Sequence, residues 1–272
     1  MLRLKFDPAS ASMQLAIDEA MLQWADGVVE RRSDGQADPR RDSESSPHQS
    51  TELFRVWKFA QPTVVLGRSS KIDEEVDREF CQFRGIEVLR RCTGGASVVG
   101  GPGCLMYSVV IATPGEGGLR KIDVAHDFVM QRVLSAVQDQ IPEATRLGIC
   151  DLTLGEKKFS GNSLRVARHH LLYHGTILMS ADLSLIAACL DHAPRQPEYR
   201  RGRGHGEFVT NVNLDEAKLT ESLCRAFEVR PFDARPFDAR DGEDSDLLAN
   251  IEAIAADLMN QRYGDPAWHE RR

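Results

Sequence analysis

The sequence predicts an α+β fold in which a mixed or antiparallel sheet is flanked by helices. Apolar runs of strand length and segments with helical periodicity both recur along the chain, and they mingle in no regular order. A steady alternation of strand and helix would instead indicate a doubly wound parallel sheet. With 272 residues, of which 42% are hydrophobic, the chain can bury a substantial core, and we expect residues 1–272 to form one domain.

The first predicted element is a helix over residues 12–25, because apolar residues recur there at helical spacing, from Met13 through Ala16 and Ile17 to Trp24. Apolar strand-like runs predict strands at 53–59, 63–67, 86–89, 104–112, 152–154 and 171–179. Helical periodicity predicts further helices at 73–82, 121–140, 182–190, 215–227 and 244–262.

Residues 27–50 interrupt this pattern. The segment has almost no large apolar residues after Val29, and it is rich in Ser, Asp, Arg, Pro and Gly. Such a composition buries too little apolar surface to offset the entropy lost on ordering a chain. We therefore expect a disordered insertion here.

The composition argues against several classes of protein. A net charge of −7 disfavours broad nucleic-acid binding. No apolar run approaches the roughly 20 residues of a membrane helix, and the N-terminal residues lack the apolar core of a signal peptide. The six cysteines form no Cys-x-x-Cys pair, so we expect reduced thiols rather than a zinc site or disulfides. These features predict a cytoplasmic protein without nucleic-acid or membrane partners.

A glycine-rich segment, RRCTGGASVVGGPG, runs from Arg90 to Gly103. Glycines let a ligand approach the backbone, exposed N–H groups can hold an anion, and the two arginines could bind a phosphate in a bidentate manner. The segment fits neither the P-loop pattern nor the GxGxxG fingerprint. A simple turn uses the same residue types, so both interpretations are open.

A second segment, GEKKFSGNSLRVARHHLLYHGT, runs from Gly155 to Thr176. If its first part is a strand, Lys157 and Lys158 point in opposite directions, so one of them faces a cleft and the other faces solvent. A lysine in a cleft can meet a phosphate or a carboxylate as a point charge. The alternative interpretation is a pair of surface lysines and a hydrogen-bonded core histidine at position 174.

Together the two segments resemble the lipoate–protein ligase A family, which includes octanoyltransferases and lipoyl amidotransferases and is related more distantly to biotin protein ligases. In this family an Arg-Arg-x-Ser-Gly-Gly-Gly-Ala-Val segment precedes Lys-(Val/Ile)-(Ser/Ala)-Gly-(Ser/Asn) and then His-Gly-Thr. Here the three motifs read RRCTGGASV from Arg90, KFSGNS at 158–163 and HGT at 174–176. The resemblance covers nearly the whole chain outside residues 27–50, and it implies the catalytic-domain fold of biotin and lipoate protein ligases.

The resemblance also implies roles for individual residues. Lys158 would contact the acyl carbonyl and the phosphate of an activated acyl group, where its charge stabilises developing negative charge. Asp151 would lie near the nucleotide and its Mg²⁺, and His174 and Gly175 would line the acyl tunnel. The residues implied to bind substrate are Arg90, Arg91, Thr93, Gly94, Gly95, Ala96, Ser160, Gly161, His174, Gly175 and Thr176.

The implied activity is that of a lipoate–protein ligase. Lipoate or octanoate would react with ATP and Mg²⁺ to form acyl-AMP, and the acyl group would pass to a lysine of a lipoyl-domain acceptor. The acceptor would be of the 2-oxoacid dehydrogenase E2 type or the glycine cleavage H type. The chain ends directly after the catalytic-domain match, so we expect no C-terminal accessory domain, and a separate accessory subunit could supply that function.

Departures from the family pattern keep two other functions open. Gly101-Pro102-Gly103 resembles the Gly-Pro-Gly of octanoyltransferases, which use a cysteine thioester and no ATP. Cys150, close in sequence to Lys158, is the candidate nucleophile for that reaction, and Cys104 is a weaker one. Ser69, where the family often has glutamine, is consistent with a non-catalytic acyl- or carrier-binding subunit. The ligase is favoured because the cysteine of the transferases normally lies elsewhere, whereas Cys150 falls where ligases usually have a small polar residue.

A basic segment between residues 195 and 208 contains Arg195, Arg200, Arg201 and Arg203 among glycines. Such a loop could fold over an adenylate or dock an acidic acceptor domain through electrostatic steering. A solvated basic loop is the alternative.

Overall fold

The computed structural model describes residues 1–6, 8, 10–33, 51–115, 117–191, 196–230 and 241–271. In these ranges the strands are β1 (Leu2–Arg3), β2 (Leu53–Trp57), β3 (Thr63–Leu66), β4 (Glu87–Arg90), β5 (Val98–Gly100), β6 (Cys104–Ala112), β7 (Ala144–Leu147), β8 (Asp151–Leu154), β9 (Lys157–Val166) and β10 (His170–Leu178). The α-helices are α1 (Ala11–Ser33), α2 (Ile72–Glu75), α3 (Arg78–Arg84), α4 (Ile122–Gln138), α5 (Leu183–Cys189), α6 (His205–Phe208), α7 (Glu216–Ala226), α8 (Asp241–Leu258) and α9 (Pro266–Glu270). Short 3₁₀ turns lie at Gly118–Arg120 and Glu198–Arg200, and a π-helical turn lies at Met259–Tyr263.

The strands form two sheets. The larger sheet has the strand order β1-β2-β6-β10-β9-β8-β7, and the smaller sheet has the order β4-β3-β5. β1 runs parallel to β2 and β3 runs parallel to β4, whereas the other neighbours are antiparallel. The mixed sheets flanked by helices confirm the α+β class.

Both faces of the larger sheet are covered, which is why every residue of its central strand β10 is buried. Successive side chains of a strand point to opposite faces. In β10, Leu172 and Leu178 pack in the same core cluster as residues of α1, α8 and the smaller sheet. Leu171, Tyr173 and Ile177 pack in a second cluster with residues of α4 and α7. The larger sheet therefore separates two hydrophobic cores.

Helix α1 is longer than the sequence predicts. It continues past Gly27 to Ser33, and Val28 packs against the first core, so apolar contact extends the helix into the segment expected to be disordered. The remainder of that segment, residues 34–50, lies outside the described residues. Among the described residues, no helix combines the length and the hydrophobicity needed to cross a membrane.

The segment with the lysine pair forms most of a hairpin at one side of the larger sheet. β9 pairs with β8 on one side and with β10 on the other. The β8–β9 register pairs Leu152 with Ser160 but Thr153 with Lys158, so Phe159 has no partner across the ladder. This β-bulge adds one residue to β9.

Candidate active site

A cavity of about 840 Å³ is lined by residues of both sheets. The sequence-predicted site residues that line it are Arg91, Gly95, Ala96, Cys150, Asp151, Lys158, Gly161, His174, Gly175 and Thr176. The predicted residues absent from its lining are Arg90, Thr93, Gly94 and Ser160. The structure thus brings the glycine-rich segment and the lysine segment to one cavity.

Part of the cavity wall is apolar. Its apolar side chains include Leu15, Trp57, Val65, Val98 and Met106. The indole of Trp57 is fixed by a 3.0 Å hydrogen bond that it donates to the hydroxyl of Ser108. An apolar wall with a few placed polar groups is typical of sites that bind organic ligands, and this one suits an alkyl chain.

Lys158 is fixed in the cavity by a carboxylate. Its Nζ lies 2.7 Å from Asp151 Oδ1, and the Tyr199 hydroxyl donates a 2.7 Å hydrogen bond to Asp151 Oδ2. Asp151 is largely buried, whereas 27% of the Lys158 side chain is exposed. Lys157 is exposed, in agreement with the predicted alternation. Asp151 and Tyr199 therefore orient one ammonium group toward the cavity.

The β-bulge explains how Lys158 reaches this position. In a regular strand Lys158 and Gly161 would point to opposite faces, because they are an odd number of residues apart. The extra residue Phe159 brings both to the same face, where a Cβ on Gly161 would lie 2.9 Å from Lys158 Nζ. Glycine at position 161 therefore leaves the space that the lysine side chain occupies.

Arg91 shapes the glycine-rich loop. Its Nε donates to Thr93 Oγ1 over 2.9 Å, and its Nη2 donates to the carbonyl oxygens of Gly94 and Ala96. Burial lowers the pKa of Arg91 to about 10, so its guanidinium is still charged at neutral pH. The charged Arg91 side chain thus holds the backbone of the glycine-rich loop in place through these hydrogen bonds.

The remaining carbonyls of residues 93–96 are also held by the protein. The backbone N–H of Arg68 donates to the Thr93 carbonyl over 2.7 Å, and Ser70 Oγ donates to the Gly95 carbonyl over 3.3 Å. In a trans peptide the N–H points away from the preceding carbonyl. The N–H groups of residues 94–96 are therefore turned away from these donors, and no described residue accepts from them. A run of unpaired N–H groups can bind an anion, but these point away from Arg91 and Ser70, which line the cavity, and Gly94 does not line it.

Arg90 stabilises the fold through buried hydrogen bonds. Its position outside the cavity lining does not suit the substrate-binding role that the resemblance implies. Its side chain is fully buried. The guanidinium donates to the carbonyls of Gly67, His269 and Arg271, which link the loop after β3 to the C-terminal helix. Because adjacent residues of an extended chain point to opposite sides, only Arg91 faces the cavity.

His174 lines the cavity and is held on both sides of its ring. Nδ1 lies 2.8 Å from Asp18 Oδ2, and Nε2 lies 2.7 Å from Thr93 Oγ1. Thr93 is fully buried, so it supports His174 and the loop instead of contacting a ligand. Sequence reasoning missed Asp18. The available signal was an acidic pair, Asp18-Glu19, inside a helix whose neighbouring residues are all apolar.

Asn162 is a second cavity residue that sequence reasoning missed. Its Nδ2 donates to the Cys150 carbonyl over 2.8 Å and to Ser160 Oγ over 3.1 Å. Ser160 is buried, so it supports Asn162 from beneath the cavity surface. A Cβ on Gly175 would lie 1.7 Å from Asn162 Oδ1, which explains the glycine in the His-Gly-Thr motif.

None of the six cysteines, all of which lie in described ranges, has a lowered pKa. Burial raises the pKa of the Cys150 thiol, and the nearby Lys158 opposes this effect without overcoming it. Cys150 Sγ donates to the Asn162 carbonyl over 3.1 Å. Cys104 is buried, does not line the cavity, and has a pKa raised to about 12. The surroundings of Cys150 and Cys104 thus favour the neutral thiol over the thiolate.

The carboxylates do not form a resident metal centre. Within the described ranges, no three His, Cys, Asp or Glu side chains come together as a metal cluster. Mg²⁺ commonly binds through one or two carboxylates together with substrate phosphates and water. Both oxygens of Asp151 already have partners, Lys158 and Tyr199, so a metal ion there would have to share or displace them.

Solved structures share this fold. A bipartite lipoate protein ligase from Thermoplasma acidophilum, studied with its E2 lipoyl domain, superposes with a TM-score of 0.73 at 21% identity, covering 99% of this chain and 95% of that one. A lipoate–protein ligase A bound with ATP superposes with a TM-score of 0.71 at 20% identity, covering 99% and 98%. A protein from T. acidophilum with bound lipoic acid also gives a TM-score of 0.71 at 20% identity, covering 99% and 97%.

Sequence relatives include both transferases and ligases. Octanoyltransferase LipM of Oceanobacillus iheyensis is 26% identical over 83% of this chain and 81% of its own length. Lipoate–protein ligase 1 of Staphylococcus aureus is 25% identical over 59% of this chain, and the match spans about half, 48%, of that protein. Residues 11–227 match the family model of the lipoyl protein ligase A/B catalytic domain. The chain belongs to the lipoyl protein ligase A/B catalytic domain family.

Proposed function

We propose that the protein is an ATP-dependent lipoate–protein ligase that activates lipoate or octanoate and transfers the acyl group to a lysine of a lipoyl domain. The observation that carries this proposal is that the cavity contains the fixed ammonium group of Lys158 and the guanidinium of Arg91 but no thiol whose surroundings lower its pKa. Such groups stabilise developing negative charge. A thioester route needs a thiolate, and burial raises the pKa of Cys150.

The proposed reaction has two steps. An oxygen of the substrate carboxylate attacks the α-phosphorus of ATP, and pyrophosphate leaves to give acyl-AMP. The acceptor lysine amine then attacks the acyl carbonyl, AMP leaves, and the amine loses a proton as the amide forms. Lys158 would stabilise the negative charge that develops in both steps. Mg²⁺ would enter with ATP, with Asp151 as a candidate ligand.

The similar structures support the proposed substrates and partner. One neighbour carries ATP, another carries lipoic acid, and the T. acidophilum ligase is bipartite and was studied with an E2 lipoyl domain. By analogy, we propose an acceptor of the lipoyl-domain type and a separate accessory subunit. The six cysteines are free thiols, which supports a reducing compartment such as the cytoplasm.

An octanoyltransferase is the second candidate, because the relative LipM matches over most of both chains. In that reaction a cysteine thiolate would take the octanoyl group from a carrier thioester and pass it to the acceptor lysine. Cys150 is the only cysteine that lines the cavity among the residues that the structure describes. The raised pKa of its thiol argues against this role.

A paired assay tests the proposal. The purified chain is incubated with lipoate, MgATP and an apo lipoyl domain, with and without a candidate accessory subunit, and AMP release and acceptor mass are measured. In parallel it is incubated with octanoyl-carrier protein without ATP. We expect AMP release and lipoylation in the first assay, both retained in Cys150→Ser. ATP-independent transfer that is lost in Cys150→Ser would instead establish the transferase.

A further inference from the structure

Four buried polar side chains link helix α1 to the glycine-rich loop. Asp18 Oδ2 lies 2.8 Å from His174 Nδ1, His174 Nε2 lies 2.7 Å from Thr93 Oγ1, and Thr93 Oγ1 lies 2.9 Å from Arg91 Nε. Asp18 and Thr93 are fully buried, and Arg91 is nearly so. We call this series, from Asp18 through His174 and Thr93 to Arg91, the Asp18–Arg91 chain.

The two end residues of the Asp18–Arg91 chain determine which group donates and which accepts in each of its hydrogen bonds. A guanidinium can only donate, so Thr93 Oγ1 accepts from Arg91. A carboxylate can only accept, so His174 carries a proton on Nδ1. In a neutral imidazole the other nitrogen then accepts, and the single hydroxyl proton of Thr93 satisfies it. Each hydrogen bond donates toward Asp18.

We propose that Asp18 is a positioning residue: it holds His174 as the neutral, Nδ1-protonated tautomer, so that Nε2 fixes the Thr93 hydroxyl and with it the glycine-rich loop. Asp18 does not line the cavity, so it acts through His174. The part of this proposal that concerns substrate affinity rests on the proposed function. The part that concerns the tautomer does not.

Asp18 has a second buried partner besides His174, the guanidinium of Arg55. Asp18 Oδ1 has no hydrogen-bond partner, and Arg55 Nε lies 3.6 Å away from it. Oδ1 therefore supplies the counter-charge for a buried arginine, and removing that charge would itself destabilise the fold. The second oxygen, Oδ2, contacts His174 directly, which is the contact that a tautomer lock requires.

Asp18→Asn removes the carboxylate charge but keeps the shape of the side chain, so it tests which of the two holds the tautomer. Its amide nitrogen can face either Arg55, where it would oppose another donor, or His174, where it would donate to Nδ1. The second orientation moves the ring proton to Nε2, which can no longer accept from Thr93. We therefore expect Asp18→Asn to change the tautomer and to raise the KM for lipoate about tenfold, with a smaller change in kcat.

The test is nitrogen NMR of the full chain labelled at histidine ring nitrogens, with the His174 signals assigned by their loss in His174→Gln. We expect a protonated Nδ1 and an unprotonated, hydrogen-bonded Nε2 in the native protein. A proton on Nε2, or on both nitrogens, would overturn the proposal whether or not the protein is a ligase. The proposal would also be overturned if the Asp18→Asn variant kept the Nδ1 proton and showed an unchanged KM for lipoate.

Two further variants keep the test decisive if Asp18→Asn does not fold. Thr93→Val removes the hydroxyl and should shift the Nε2 resonance, whereas Thr93→Ser keeps the hydroxyl and should keep the native pattern. An Nε2 resonance that is the same in Thr93→Val as in the native protein counts against the proposal. Glu19→Gln is the matched control, because Glu19 is buried next to Asp18 in α1 but bonds to Arg165, Arg262 and Tyr263. It should leave the His174 signals unchanged.

Discussion

Lys158 Nζ lies 2.7 Å from Asp151 Oδ1, and the two residues belong to adjacent strands of the larger sheet. The Tyr199 hydroxyl holds the other carboxylate oxygen, so the ion pair is anchored from the far side as well. This arrangement orders the ammonium group before a substrate arrives, and preorganised charge costs no rearrangement during the reaction.

Lys158→Ala is expected to lower kcat for acyl transfer by about 10²–10³-fold, because removing one preorganised group that stabilises transition-state charge has effects of this size. Transfer to an apo lipoyl domain, followed by intact mass, measures the change. Lys157→Ala is the matched control, since Lys157 is adjacent but exposed. Equal activity in both variants would contradict the role of Lys158.

Gly161→Ala should inactivate the protein without unfolding it. The new Cβ would lie 2.9 Å from Lys158 Cε and Nζ, and the end of a lysine side chain can move aside cheaply. We expect an unchanged Tm and an activity close to that of Lys158→Ala. Thermal unfolding and the transfer assay together check this, and an active Gly161→Ala would show that the position of Lys158 is not critical.

Glu19→Gln should destabilise the fold by on the order of 3 kcal/mol, because a buried carboxylate loses its charge against two arginines. Glu19 accepts from Arg165 and Arg262 at 2.7 and 2.8 Å and from the Tyr263 hydroxyl at 2.7 Å. Urea unfolding measures the change. Glu216→Gln, which removes an exposed pair with Lys58, should cost about 0–1 kcal/mol. Similar losses in the two variants would refute the argument from burial.

Stability should fall as the pH is lowered from 7.5 to 5.5. Burial lowers the pKa of His269, His170 and His126 below the ordinary value of 6.5. The unfolded chain therefore binds more protons below about pH 6.5, so the stabilisation present above that pH is lost on acidification. Tm measured across this range checks the sign, and a Tm that rises on acidification would contradict it.

A substitution of His269 tests how much of this pH dependence of Tm comes from a single histidine. Its Nδ1 accepts the Arg90 backbone N–H over 2.9 Å, so protonation there would break a buried hydrogen bond. His269→Asn cannot titrate in this range and should show a shallower dependence of Tm on pH. An equal slope would assign the effect to other groups.

The fold class and the lysine–glycine motifs could be predicted because they depend on local patterns. The alternation of apolar residues indicates strands, and Lys158 with Gly161 is a short motif. What the sequence could not indicate is the bulge at Phe159, because an unpaired residue depends on the register of two strands. Without the bulge, alternation alone would separate Lys158 from the glycine that accommodates it.

Long-range polar contacts were also beyond sequence reasoning. Asp18 meets His174 only because α1 packs against β10, and nothing in either segment specifies that pairing. The position of Arg90 outside the cavity lining has a related cause. Its direction depends on whether the strand presents position 90 or position 91 to the cavity, and a shift of one residue reverses that choice.

The contact between Gly67 and Gly95 limits how the site can vary. A Cβ on Gly67 would lie 1.8 Å from the Gly95 carbonyl oxygen, so two stretches of backbone touch there and no side chain separates them. This side of the cavity cannot be enlarged by trimming a residue. For the proposed acyl substrate, we expect differences in chain length to arise at the apolar wall, where Leu15, Trp57 and Met106 can each be exchanged for a smaller or larger side chain.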